Sequence, residues 1–141
     1  MPRILVVDDD KAVRSAIQML LEHEGYQVVV ADDGKSGIEA IETSSFDLVI
    51  VDIFMPGMDG LETIREFHQR DPKVPVIAMS GFMFRDTGSP APDFLSMATK
   101  LGAARSLHKP FRPQELLKAV EASISGEDEV AETPRASGTH S

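Results

Sequence analysis

The stretch Asp47-Leu48-Val49-Ile50-Val51-Asp52 is a run of four apolar residues with an aspartate at each end. Three of the four are β-branched, which favours a strand for so short a run. Continuous apolar strands of this length, with no polar residue inside, are typical of parallel sheets covered by helices on both faces. The stretch therefore predicts a buried strand of an α/β fold.

Similar short runs recur along the chain and are separated by segments with helical spacing. The further strand candidates are residues 4–7, 28–30 and 76–79, with a weaker one at 106–108. The helix candidates are residues 11–24, 35–43, 60–70, 93–101 and 113–124. Strands that alternate with helices require right-handed crossovers and an open parallel sheet. We therefore expect a flavodoxin-like, doubly wound sheet of five strands in the order 2-1-3-4-5, with five helices.

Local signals mark where these helices begin and end. Asp10 and Asp59 precede two helix candidates and are expected to be N-caps, although Asp10 could instead join a site with its acidic neighbours. Gly25 is a C-terminal signal for the first helix, and Pro113 suits the first position of the last one.

The composition and net charge exclude several classes of protein. The 141 residues are 42% hydrophobic and 26% charged, which is ordinary for a soluble domain with its own core. A net charge of −9 argues against binding to a nucleic-acid backbone, and no apolar run approaches the length of a membrane span. With no cysteine, disulfides and thiolate sites are excluded. We expect a cytoplasmic protein with no nucleic-acid partner and no membrane partner.

The chain divides into an apolar part and a polar end. Residues 126–141 contain no aromatic residue, one valine and a net charge of −3. Such a segment cannot bury enough apolar surface to offset the entropy of ordering it. We therefore expect one domain over residues 1–125, followed by a disordered acidic tail over residues 126–141.

Polar side chains follow the predicted strands at the points where the strands end. Asp8 and Asp9 follow the first strand, Asp52 the third, Ser80 the fourth and Lys109 the fifth. In open α/β sheets ligands bind beyond the carboxyl ends of the strands, and strands 1 and 3 are neighbours in the expected order. We therefore expect the three aspartates to converge at this edge of the sheet.

The chemistry of these side chains indicates phosphoryl transfer to an aspartate. Three close carboxylates repel one another unless a cation lies among them, and carboxylate oxygens select Mg²⁺ or a similar divalent ion. Lys109 would supply a positive charge, and Ser80 a hydroxyl donor, for phosphoryl oxygens. Together these groups fit the formation of an aspartyl phosphate.

Four stretches, each at the end of a predicted strand, resemble one family. They are residues 4–10 (ILVVDDD), 47–60 (DLVIVDIFMPGMDG), 80–81 (SG) and 109–111 (KPF). From about residue 2 to residue 125, the sequence resembles a response-regulator receiver domain of two-component signalling. The resemblance implies a phosphoacceptor signalling switch that is not an enzyme beyond assisting its own phosphorylation and slow dephosphorylation.

The resemblance also implies which residues bind the metal and accept the phosphoryl group. Asp52 is the implied phosphoacceptor. Asp8 and Asp9 would bind Mg²⁺ (or Mn²⁺) together with Asp52 and the backbone carbonyl of Phe54.

A second set of residues is implied to hold the phosphoryl group. Ser80 and Lys109 would contact its oxygens, and Gly81 would leave it room to enter. The Lys109–Pro110 peptide bond is expected to be cis, as in relatives.

The implied partners are proteins. The phosphoryl group would come from a histidine kinase or a histidine phosphotransfer protein. Since 141 residues leave no room for a second domain, we expect a stand-alone receiver whose output is a contact with a downstream protein. The expected contact surface is the face formed by the fourth predicted helix, the fifth strand and the fifth helix. A phosphorylation-dependent homodimer is an alternative form of output.

The sequence departs from the family in two places. The segment between the fourth strand and the fourth helix is longer than usual, with its extra length at residues 82–92. This loop contains three apolar side chains in a row, Phe82, Met83 and Phe84, which are not expected to be exposed to solvent without a binding or packing role. The loop is therefore a candidate switch element. At residue 106, three before Lys109, a serine stands where relatives usually have an aromatic residue. Switching through a swinging aromatic ring therefore cannot operate at Ser106.

Two other functional classes compete with a phosphoacceptor switch. One is a receiver-like module that binds proteins without phosphorylation. The set Asp8, Asp9, Asp52 and Lys109 argues against it, whereas Ser106 and the long loop keep it open. The other is a hydrolase of the haloacid dehalogenase type, with Asp8 and Asp10 as nucleophile and acid/base. That motif requires threonine or valine where Ala12 stands, and a cap domain for which the length is too short.

Overall fold

The computed structural model describes residues 2–53, 60–80, 100, 102–108 and 111–126. The strands are Arg3–Val7 (β1), Gln27–Ala31 (β2), Leu48–Asp52 (β3), Val76–Ser80 (β4) and Arg105–His108 (β5). The helices in the described ranges are Lys11–His23 (α1), Gly34–Thr43 (α2), Gly60–Arg70 (α3) and Pro113–Ser125 (α4). The predicted helix over residues 93–101, apart from Lys100, and the predicted tail beyond residue 126 lie outside these ranges. None of the described helices combines the length and the apolar character needed to cross a bilayer.

The five strands form one parallel sheet in the order β2-β1-β3-β4-β5, which confirms the predicted order. Val7 of β1 lies in register with Val51 of β3, and Asp52 in register with Met79 of β4. Because all strands run in the same direction, their carboxyl ends lie along one edge. The polar residues that end β1, β3 and β4 are therefore brought to the same edge of the sheet.

Both faces of the sheet are covered, as the continuous apolar runs predict. Every residue of β3 and β4 is buried. On one face, Ile4 and Val6 pack with Ile17 of α1 and Leu116 of α4. On the other face, the core includes apolar residues of α2 and α3 together with alternate residues of the strands; they include Leu5, Val7, Val49, Val51, Ile38, Ile64 and Phe67. Alternate residues of each strand therefore belong to two cores, which pack the sheet against both layers of helices.

The ends of the helices follow the local signals in the sequence. Asp10 caps α1, and its Oδ1 atom accepts hydrogen bonds from the backbone nitrogens of Ala12 at 2.9 Å and Val13 at 3.3 Å. Gly25 follows this helix with a φ of 96°, a conformation that favours glycine. Pro113 is the first residue of α4, where its missing N–H leaves no intrahelical bond unmade.

Candidate functional site

Three aspartates meet at the carboxyl ends of β1 and β3. One carboxylate oxygen from each of Asp8, Asp9 and Asp52 lies within 4.8 Å of the others. The side chains differ in exposure, since Asp8 is fully buried, Asp52 is 5% exposed and Asp9 faces solvent. The register explains the meeting, because Asp8 and Asp52 are the residues that follow the paired Val7 and Val51. The sheet therefore places three carboxylates together in a partly buried position.

The loop after β1 is held by hydrogen bonds on both sides of Asp8. The backbone nitrogen of Asp8 donates to the carbonyl of Ala31 at 3.1 Å. The backbone nitrogen of Asp10 donates to Asp8 Oδ1 at 2.9 Å. The guanidinium of Arg14, one turn into α1, donates from Nη1 to the carbonyl oxygen of Asp8 at 2.8 Å. The backbone and the carboxylate of Asp8 are therefore both fixed by neighbouring groups.

The end of β3 is fixed by close packing against the start of α3. The backbone nitrogen of Ile53 donates to the carbonyl of Met79 at 2.9 Å, and that of Gly60 donates to the carbonyl of Ile53 at 3.2 Å. A Cβ atom at Gly60 would lie 2.1 Å from the Cα atom of Ile53 and 2.4 Å from the carbonyl oxygen of Asp52. Only glycine allows α3 to begin this close to Asp52.

Ser80 is the last residue of β4 and lies next in sequence to Met79, the partner of Asp52 in register. Its side chain is buried, with 4% exposed. On the adjacent strand, Ser106 is exposed and lies in register with Ala78. A small polar side chain thus stands on β5 where the family resemblance implies an aromatic ring.

The remaining predicted site residues lie outside the described ranges. These are Phe54, Gly81, Lys109 and Pro110, the candidate switch residues Phe82, Met83 and Phe84, and the expected N-cap Asp59. Of the predicted site, the structure therefore brings together Asp8, Asp9 and Asp52 and places Ser80 on the neighbouring strand.

Arg14 is a residue of this site that the sequence pattern did not indicate. It lies four residues beyond Asp10 in the helix, and its hydrogen bond to Asp8 depends on how the loop turns between β1 and α1. An arginine one turn into a helix is usually a surface residue, so its position carries no specific signal of a role in the site. The sequence pattern that comes nearest to indicating this role is a basic residue one helical turn after an acidic loop.

The donor atoms of the aspartate cluster fit a hard divalent cation. All three are carboxylate oxygens, which Mg²⁺ and Mn²⁺ prefer over nitrogen and sulfur. Asp8 and Asp52 are buried beside a third carboxylate, where repulsion between the like charges calls for compensating positive charge. A cation among them would supply that compensation.

Comparison with known proteins places this geometry in a family. The family model of the response regulator receiver domain matches residues 4–121. Response regulator MprA of Mycolicibacterium vanbaalenii is 37% identical over 122 residues, which make up 86% of this chain and 50% of that protein. The transcriptional regulatory protein FixJ of Bradyrhizobium diazoefficiens is 33% identical over 121 residues, or 86% of this chain and 56% of that protein.

Solved structures agree with the sequence relatives. A CheY-like receiver domain protein from Methanospirillum hungatei superposes with a TM-score of 0.80 at 29% identity, covering 89% of this chain and 95% of that one. A receiver domain from Clostridium thermocellum gives a TM-score of 0.78 at 30% identity, covering 90% and 97%. The chain spans about half the length of curated relatives such as MprA and FixJ. The matched residues, the sheet order and the aspartate cluster together show that the chain belongs to the response regulator receiver domain family, whose members are signalling switches of two-component systems.

Proposed function

We propose that this receiver domain is a phosphoacceptor switch in which Asp52 takes a phosphoryl group from a phosphohistidine in a histidine kinase or a histidine phosphotransfer protein. The observation that carries the proposal is the meeting of Asp8, Asp9 and Asp52 at the carboxyl ends of β1 and β3. In the proposed step a carboxylate oxygen of Asp52 attacks phosphorus. The new O–P bond forms as the P–N bond breaks, and the imidazole leaves with the electron pair.

The surroundings of Asp52 support this role. Its side chain is 5% exposed, which limits the access of water to the acyl phosphate once it has formed. Ser80, also buried, would donate its hydroxyl to a phosphoryl oxygen. Lys109 and Gly81, from beyond β5 and β4, are proposed to contact the phosphoryl group as the family resemblance implies.

We assign the metal site to the same cluster. Asp8, Asp9 and Asp52, with the carbonyl of Phe54, would hold Mg²⁺ or Mn²⁺. When bound, the ion supplies positive charge that offsets the charge of the carboxylates and of the phosphoryl oxygens. Without a cation, the three carboxylates repel one another and an incoming phosphoryl group.

The surface beside the cluster suits a helical protein partner. Ala12, Ser15, Ala16 and Met19 have the spacing of one helix face, and all are exposed on α1, Met19 by 72%. This uncharged face begins with Ala12 in the first turn of α1, next to the acidic loop that a phosphodonor must approach. We therefore propose that the donor docks here.

Output is proposed to pass through the face that includes β5, α4 and the predicted helix over residues 93–101, either to a downstream protein or to a second copy of the chain. The relatives do not confirm the expected absence of a nucleic-acid partner, because FixJ is named a transcriptional regulatory protein and is about twice as long as the matched region. That expectation stays a prediction.

The second candidate function is a receiver that binds its partner without being phosphorylated. The observation in its favour is Ser106, an exposed serine where an aromatic switch residue is usual. The two functions differ in whether Asp52 is modified, which a direct chemical test resolves.

The test is mass spectrometry of the intact protein after incubation with a small-molecule phosphodonor and Mg²⁺. We expect the parent chain to gain the mass of one phosphoryl group, and Asp52→Asn to gain none. Asp47→Asn is the matched control, since Asp47 directly precedes the same strand and its Oδ2 atom accepts a hydrogen bond from the backbone nitrogen of Arg3 at 2.8 Å. It should be phosphorylated as the parent is, and a chelator should prevent phosphorylation of both. Equal modification of the Asp52→Asn variant would contradict the assignment, and no modification of the parent would favour the binding module.

A further inference from the structure

Arg14 reaches from α1 to the loop that carries two of the three clustered aspartates. Its side chain is half-buried, and its Nη1 atom donates to the carbonyl oxygen of Asp8 at 2.8 Å. The backbone nitrogen of the same arginine donates to the carbonyl of Asp10 at 3.0 Å as the first turn of the helix. Arg14 therefore joins the acidic loop to the helix through both its backbone and its side chain.

These bonds complete a closed set around Asp8. The carboxylate of Asp8 accepts from the backbone nitrogen of Asp10, whose own carboxylate caps α1. The carbonyl of Asp8 accepts from Arg14, and its backbone nitrogen donates to Ala31 on β2. These hydrogen bonds restrain the loop at each of these points. Loss of the hydrogen bond from the Arg14 guanidinium would therefore release the peptide group between Asp8 and Asp9.

The positive charge of Arg14 would weaken the binding of a cation, whereas its restraint of the loop would strengthen it. A guanidinium close to a metal site repels the metal, so that its removal should strengthen metal binding if charge alone mattered. Fixing the loop should instead make metal binding stronger when Arg14 is present, because the ligands need less ordering when the ion arrives. The sign of the effect therefore distinguishes the two roles.

We propose that Arg14 is a positioning residue that holds Asp8 and Asp9 in the arrangement needed to bind the divalent cation. This inference rests on the proposed metal-dependent function. Groups that hydrogen-bond to metal ligands and orient them, without binding the metal, typically change metal affinity by 10- to 100-fold. We expect the lower end, about tenfold, for a single hydrogen bond to a backbone carbonyl.

The experiment measures the dissociation constant for Mg²⁺ by NMR titration of the full chain, without any phosphodonor. Arg14→Met removes both the charge and the donor, and we expect Mg²⁺ binding to weaken about tenfold. Arg14→Lys keeps the charge, but its shorter side chain with a single ammonium group does not place a donor where Nη1 meets the Asp8 carbonyl, and we expect weakening of about threefold. Arg65→Met is the charge-matched control, because Arg65 is exposed on α3 and pairs with Glu62 at 3.8 Å. It should bind Mg²⁺ as the parent does.

A second measurement needs no metal. In the metal-free protein, the amide of Asp10, which donates to Asp8, should exchange its hydrogen faster in Arg14→Met than in the parent, while amides within β1 should be unchanged. Unchanged or tighter Mg²⁺ binding in Arg14→Met would overturn the positioning role. If that variant does not fold, parent-like binding by Arg14→Lys would overturn it equally. A parent chain that binds no Mg²⁺ would overturn the proposed function together with this inference, whereas parent binding with unaffected variants removes the inference alone.

Discussion

At the scale of single residues, Gly60 shows how the backbone around Asp52 is shaped by packing. The first residue of α3 lies so close to the end of β3 that an added Cβ atom would fall 2.1 Å from the Cα atom of Ile53. The neighbouring atoms are backbone, which cannot move aside as a flexible side chain can. The start of α3 and the carbonyl of Asp52 are therefore fixed relative to each other.

We predict that Gly60→Ala lowers the free energy of unfolding by about 3 kcal/mol, because overpacking against backbone forces β3 and α3 apart. Urea denaturation would measure the loss. Gly25→Ala is the matched control, since it adds the same methyl group where no atom lies within 4 Å. Its effect on stability comes from the φ of 96°, which residues other than glycine rarely adopt. It should cost about 1 kcal/mol. Equal losses in the two variants would show that the close approach at Gly60 does not constrain the fold.

Single residues also mark the limit of what the sequence predicts about the site. Asp8, Asp9 and Asp52 could be predicted because each follows an apolar run, and strand order alone brings such positions together. The roles of Gly60 and Arg14 depend on contacts between separate segments, a 2.4 Å approach to a carbonyl and a 2.8 Å hydrogen bond across a loop. Neither contact has a characteristic spacing in the sequence, so neither could be predicted without the structure.

At the scale of elements, the helix caps separate strong local signals from weak ones. Asp10 precedes an amphipathic helix and was predicted as its cap. Asp33 caps α2 in the same way, and its Oδ1 atom accepts from the backbone nitrogen of Ser36 at 2.8 Å. It was not predicted, because Gly34 and Gly37 make the first turn of α2 a poor helix by propensity. Packing of α2 against β1 and α3 compensates for that weakness.

We predict that the contribution of Asp33 to stability depends on pH. Hydrogen bonds from the backbone and hydroxyl of Ser36 lower the pKa of Asp33 below its ordinary value of 3.8. Because the pKa is lower in the folded state, the stabilisation is fully present above pH 3.8 and is lost as the pH falls through the folded-state pKa. Asp33→Ala should therefore cost about 1 kcal/mol at neutral pH and less in acid.

Urea denaturation of the parent and the variant at neutral pH and below pH 3.8 would measure this difference. Asp33→Asn serves as the control, since asparagine caps as well as aspartate but does not titrate. It should remain close to the parent at neutral pH. A cost of Asp33→Ala that stays constant over this range would contradict the role of the ionised carboxylate.

At the scale of the whole molecule, stability and the candidate site impose opposite demands on the same edge of the sheet. The apolar runs that fill both faces decided the fold, which is why the strand order could be predicted from the sequence. Those same runs deliver Asp8 and Asp52 to a buried position beside Asp9, where their charges oppose one another. In a chain with a net charge of −9, this repulsion adds to a general excess of negative charge.

A bound cation should therefore stabilise the entire domain. An ion that binds the folded state and not the unfolded state adds RT ln(1 + [L]/Kd), about 2.7 kcal/mol when its concentration is 100 times Kd. We predict that Mg²⁺ raises the free energy of unfolding of the parent with this logarithmic dependence on its concentration. NaCl at matched ionic strength should raise it much less, because screening does not require the three carboxylates to share one ion.

Asp9→Asn tests whether that stabilisation arises at the cluster. Asparagine keeps the size of the exposed side chain but removes one of the three charges, so the metal-free variant should be as stable as the parent or more stable. Its response to Mg²⁺ should be much smaller, because one anionic ligand is lost. Glu39→Gln, which removes a charge from the exposed face of α2, should respond to Mg²⁺ as the parent does. If Asp9→Asn and Glu39→Gln responded equally, the stabilisation would come from the overall negative charge, and the aspartates would not form a metal site coupled to folding.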